Sequence, residues 1–123
     1  MSDHEVVELD RRADWRAWLR DHHDDADGVW LVTWKKATGK PHVSYDEAVE
    51  EALCFGWVDS RSKAVDAERT SLFFTPRKAK SGWSASNVAR VEKLERARLM
   101  RAPGRRAVEE AKASGRWPPT LLP

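Results

Sequence analysis

Cysteine is almost absent from this chain of 123 residues: Cys54 stands alone. No internal disulfide and no multi-cysteine zinc site can form, and stability has to come from packing. No apolar run approaches the roughly 18 residues that a membrane-spanning helix requires. The opening Met1-Ser2-Asp3-His4-Glu5 is too polar and acidic for a secretory signal. These two absences imply a cytoplasmic location without insertion into a membrane. The chain also lacks a glycine-rich phosphate loop, a nucleophile elbow, a recognisable nucleic-acid motif and an internal repeat. No cofactor and no metal are expected.

What is present suits one globular domain spanning 1–123, with a loose lead-in over 1–10 and an extended tail over 116–123. Hydrophobic residues make up 41% of the chain and charged residues 34%, a balance suited to a small core under a solvated exterior. Seven tryptophans strengthen that core, each bringing a large apolar area and one N–H that needs a partner. The net charge is only +2, but acids dominate residues 1–51 and bases dominate the rest. Between Arg77 and Arg106 the bases meet only Glu92 and Glu95. Such a stretch attracts an anionic partner, unless the two halves neutralise one another in the fold.

The pattern predicts an α+β fold in the order α-β-α-β-β-α-α, a small three-stranded antiparallel sheet with about four helices on one face. Trp15, Trp18, Leu19 and His22 share helical spacing, and Asp24 to Gly28 end that helix near residue 23. Val29 to Trp34 is rich in β-branched and aromatic residues and reads as a strand. Ser44 with Glu47 forms a capping box for a second helix, whose Asp46, Glu47, Glu50 and Glu51 are expected to face water and whose end Gly56 marks. Two extended stretches, Trp57–Val65 and Thr70–Thr75, flank the polar turn Asp66-Ala67-Glu68-Arg69 and predict a hairpin. Ser84 caps a third helix running to about Met100, and Pro103 opens a fourth that Gly115 ends. The strand from Trp57 is unusual. Strict alternation puts Trp57, Asp59, Arg61 and Lys63 on one face and Val58, Ser60, Ser62 and Ala64 on the other, so neither face is an apolar strip. It is therefore an edge strand or the wall of a polar site.

The basic segment from Arg77 to the helix start at Ser84 is the strongest candidate site. Helix starts expose N–H groups and a partial positive charge, and here Arg77, Lys78 and Lys80 precede Ser81, Ser84 and Asn87. This predicts a site for an anionic small molecule, or else Arg77 pairing with Asp59 or another carboxylate. A second reading is nucleic acid, with Trp83 stacking on a base and an outward stripe of Arg90, Lys93 and Arg101 meeting phosphates. A third is an enzyme using Cys54 or Asp59. Cys54, however, falls at a helix C-terminus, where the dipole opposes a thiolate. His22 and His23 point about 100° apart on their helix and make poor joint metal ligands. His42 has no identifiable partner. Trp117 and Leu121-Leu122 suit docking on this domain or on a second copy.

Glu51-Ala52-Leu53-Cys54-Phe55-Gly56-Trp57-Val58-Asp59, then Phe74-Thr75-Pro76-Arg77-Lys78, then Ser81-Gly82-Trp83-Ser84 with Asn87 and Arg90, resemble the YdeI/OmpD-associated family, also labelled bacteriocin-protection proteins. The likeness runs from Trp18-Leu19 to Gly115-Arg116-Trp117. It implies a binding role in stress or bacteriocin protection, with any envelope link indirect, and beside the basic segment the leading expectation is a non-enzymatic intracellular binding protein. It also singles out Trp57, Asp59, Arg77, Trp83, Ser84 and Asn87 as candidates for one shared ligand-binding site.

Overall fold

The computed structural model describes residues 4–78 and 81–118. Lys80 and the Leu121-Leu122 pair lie outside them. The first element is a strand, β1 (Glu5–Glu8), where the sequence reads as an irregular lead-in. It escapes notice because it is four residues long and only Val7 turns inward to pack on the core, with Leu9 just beyond it. Then follow α1 (Arg12–His22), β2 (Val29–Trp34), a 3-10 turn at Lys36–Thr38, α2 (Tyr45–Cys54), β3 (Trp57–Ala64), β4 (Arg69–Pro76), α3 (Ala85–Arg96) and α4 (Ala102–Ala113). The sheet is therefore four-stranded and mixed, in the order β1-β2-β4-β3, and not the expected three-stranded antiparallel sheet. β1 runs parallel to β2, which the helix between them makes possible, and the other pairings are antiparallel.

Local chemistry sets most helix ends. Ser44 and Glu47 form the reciprocal capping box of α2, and the Ser84 hydroxyl accepts the Asn87 N–H at 3.1 Å to cap α3. Gly56 closes α2 at φ 76°. Its position has a second constraint, because a Cβ there would lie 2.9 Å from the Pro103 carbonyl oxygen. α3 stops four residues short of the expected Met100. Arg98 adopts φ 60°, and the Leu99 N–H reaches back to the Leu94 carbonyl at 2.9 Å. This is a Schellman end with arginine in the seat that glycine usually takes.

All four helices supply residues to one apolar cluster. Trp15, Trp18 and Leu19 from α1, Val49 and Leu53 from α2, Val91 and Leu94 from α3 and Val108 from α4 meet Val29, Leu31, Phe74 and Trp57 from the sheet. Trp15 stacks on Trp18 at 5.6 Å, Trp18 meets Trp57 edge-on at 5.7 Å, and Trp15 lies 5.0 Å from Phe74. The Trp15 indole donates to the Ala48 carbonyl and that of Trp57 to the His23 carbonyl. Only three of the seven tryptophans belong to this cluster. Trp83 and Trp117 pack at its margin, and Trp30 and Trp34 lie outside it.

The odd alternation of β3 has a physical cause. Asp59 pairs with Phe74 but Arg61 pairs with Phe73, so the strand carries a bulge at Ser60. One extra residue inverts every later side chain. Trp57 and Asp59 face the helices, while Arg61 and Lys63 emerge on the opposite face beside Phe73 and Ser71.

Candidate functional site

β4 ends at Pro76, and the Arg77 N–H continues the pairing by donating to the Gly56 carbonyl at 2.9 Å. That bond anchors the Arg77 backbone against the end of α2. Its guanidinium lies 3.9 Å above the Trp83 ring and donates to the Gly82 carbonyl at 2.9 Å. The side chain is thus folded onto the segment that leads into α3. Its Nε is buried without a hydrogen-bond partner. The small cavity beside it, about 20 Å³ and bounded by Trp83, Ala107 and Glu110, has room for a single water. Burial lowers the pKa of this guanidinium, and Asp59 partly opposes that from a distance. Asp59 and Arg77 form no ion pair among the described residues.

The Asp59 carboxylate instead accepts the Tyr45 hydroxyl at 2.9 Å. Burial, with that carboxylate beside it, raises the Tyr45 pKa. Around Tyr45 a second group assembles: Arg90 lies 6.0 Å from its ring, donates to Asn87 Oδ1 at 3.0 Å and pairs with Asp46 at 2.6 Å. The six residues singled out by the sequence therefore separate. Arg77 and Trp83 are in contact; Ser84 and Asn87 form the α3 cap; Asp59 joins Asn87 only through Tyr45 and Arg90. Trp57 is 1% exposed and belongs to the core, but it shares the lining of one cleft with Arg77.

Arg77 also lines a cleft of about 360 Å³ between the α2–β3 corner and α4. From α4, Arg106 contributes a second cation and Glu110 a carboxylate, and Asp24 contributes another carboxylate. Sequence reasoning missed Arg106 and Glu110, since nothing local joins them to Arg77 across the intervening chain. Trp117, for which the sequence left its own domain and a second copy open, has its ring 5.0 Å from Trp83 and 5.2 Å from the Lys112 ammonium. Trp117 thus docks on its own domain.

The outward basic stripe of Arg90, Lys93 and Arg101 does not exist as such. Arg90 is held by Asp46 and Asn87, Lys93 pairs with Glu50 at 2.8 Å, and Arg101 lies beyond the end of α3. Glu50 and Glu51, expected in water, are buried at 5% and 2% exposure. Arg12 bridges both, and Arg16 pairs with Glu51 at 2.7 Å while donating to the Leu99 carbonyl. Burial works against both guanidinium charges, but the carboxylates outweigh it and hold both pKa values above the ordinary one. Two buried carboxylates with three cations make a clamp joining α1, α2 and α3, a structural role that needs every member paired.

Cys54 is fully buried, and burial pushes its thiol pKa up against the opposing pull of Arg16. That is the opposite of thiolate activation. His42 has a partner after all, its Nδ1 meeting the Trp34 carbonyl. No group of three metal-ligating side chains occurs among the described residues, and no described helix is long and apolar enough to cross a membrane.

No curated protein and no solved structure matches the chain. A family model does, over residues 7–107, from the second half of β1 to the first half of α4. The chain belongs to the family described as Domain of unknown function (DUF8412).

Proposed function

We propose that this protein is a non-enzymatic binding protein whose ligand is a small anion received at Arg77. One observation carries the reading: the Arg77 guanidinium is held on Trp83, half-buried, with a single carbonyl partner and no ion pair among the described residues. A desolvated guanidinium without a counter-ion favours an arriving carboxylate or phosphate, and its planar fork suits two-point contact. The cleft walls add a requirement. Arg106 reinforces the anionic end, whereas Asp24 and Glu110 favour a ligand that also presents a hydrogen-bond donor or a positive charge. A small zwitterion or an amino-bearing phosphate meets both demands. The likeness to YdeI/OmpD-associated proteins supports placing such binding in stress or bacteriocin protection.

The test is a thermal-shift screen of inorganic phosphate, sugar phosphates, amino acids and simple carboxylates, since a ligand that prefers the folded state raises its melting temperature. At least one compound should raise the transition of the wild type and fail to do so for Arg77→Ala. Arg77→Ala should itself lose no more than about 1 kcal/mol of stability, because the side chain is not core. A shift that survives the substitution overturns the reading.

A further inference from the structure

Every helix contributes to the cluster on one face of the sheet, and no helix among the described residues covers the other face. Alternation builds that open face from Trp30, Val32 and Trp34 of β2 and from Ser71 and Phe73 of β4. The bulge at Ser60 adds Arg61 and Lys63 to it. The Arg61 guanidinium lies 5.4 Å from the Trp30 ring and 4.9 Å from Phe73. At the other end Lys40 sits 4.0 Å over Trp34. A groove of about 380 Å³ runs across the face past Val6, Trp30, Lys63 and Val65.

Charge is distributed unevenly over this surface. Lys40 and Arg69 are matched by Glu68, Glu8 and Asp66. Arg61 and Lys63 form no ion pair among the described residues. Their half of the face is therefore both aromatic and cationic.

We propose that this open face binds single-stranded nucleic acid, with bases stacking on Trp30 and Trp34 and phosphates meeting Arg61 and Lys63. The two indoles lie four residues apart on one strand, about 13 Å, so they engage different nucleotides. In the free protein long cationic arms occupy the ring faces. Such exposed cation–π contacts are weaker than base stacking on an indole. A base that displaces Arg61 from Trp30 also frees its charge for the neighbouring phosphate. A duplex offers phosphates but no free base faces, so it satisfies only half of the surface. A second copy of the chain is disfavoured, because two-fold pairing of this face sets Arg61 and Lys63 against a like-charged patch. The surface is separate from the helix-side cleft at Arg77, so each survives loss of the other.

The experiment is fluorescence anisotropy of labelled oligouridylate and oligothymidylate of about 12 nucleotides, with a duplex of equal length as comparison, on the full chain. Binding to the single strands should weaken by about sevenfold as salt rises from about 50 to about 200 mM, the response expected for two phosphate contacts. The double variant Arg61→Ala/Lys63→Ala should flatten that response. Trp34→Ala, checked for folding by circular dichroism, should weaken binding by about tenfold and leave the salt response unchanged. Arg77→Ala should bind as the wild type does. If Trp34→Ala does not fold, Lys63→Glu serves instead, because Lys63 is exposed, and it should abolish binding at low salt. The proposal fails if single strands do not bind at low salt, if duplex binds as tightly, or if folded Trp34→Ala binds unchanged. Self-association that Lys63→Glu disrupts would also overturn it.

Discussion

Phe73 and Phe74 are neighbours in β4 and almost equally hidden, at 5% and 0% exposure, but different things hide them. Phe74 faces the helices and is enclosed by Trp15 and the apolar cluster around it. Phe73 faces the other way and is covered by the His4 ring, by Trp30 and by the Arg61 guanidinium. One side is sealed by interlocking hydrocarbon. The other is covered by two rings and by one guanidinium arm that solvent or a ligand can replace. Equal burial therefore does not mean equal contribution to stability, and the less rigid cover is the one suited to binding.

The widest separation is expected in stability. Phe74→Ala should cost about 4 kcal/mol, as a large cavity in a packed core does. Phe73→Ala should cost about half of that, since its flexible cover can collapse into the gap. Urea denaturation measures both, and equal losses would break the distinction between the faces.

The ion clamp on the helix side comes next. Glu51→Ala leaves Arg16 without its buried carboxylate and Arg12 with Glu50 alone, and should cost about 3 kcal/mol in the same urea titration. A loss below about 1 kcal/mol would show that the clamp is no more than a surface salt bridge.

Acid provides a milder probe of the same cluster. Burial pushes the Glu50 carboxyl up, but the Lys93 ammonium and the Arg12 guanidinium outweigh it, so its pKa lies below the ordinary value. The unfolded chain therefore takes up this proton at higher pH than the native state. The contribution of Glu50 is present above the ordinary carboxylate value, about 4.3, and is lost as pH falls through the lowered native value. Melting temperatures followed from neutral pH downward should drop across that window, and Glu50→Gln should flatten the drop.

Deleting Ser60 should have the smallest effect. Removing the bulge restores regular pairing and leaves Arg61 and Lys63 on the open face, so stability should change by less than about 1 kcal/mol. A large loss would mean that the bulge is needed for strand curvature and not only for side-chain placement.

These regions differ in how much of them the sequence discloses. The helices were legible because their signals are local: Ser44 with Glu47, Ser84 three residues before Asn87, Gly56 and Gly115 at the turns. The Arg77–Trp83 contact was partly legible, since both residues flank one short basic segment. β1 was not, because four residues with a single inward side chain carry almost no periodicity. The open face was misread through one residue, Ser60, which a strict two-residue alternation cannot accommodate. Glu50 and Glu51 looked solvated because acids on a helix ordinarily are. Their cations come from α1, more than 30 positions earlier, and from α3, more than 40 positions later.

By itself the sequence determined the number and approximate limits of the helices, the β3–β4 hairpin and the basic approach to α3. Caps, turns and amphipathic spacing act over a few residues and need no distant partner. Tertiary structure alone decided which charges are spent inside the fold and which remain outside. An ionisable group is neutralised or left free by whatever the chain brings within a few ångströms, and that depends on contacts between residues far apart in sequence.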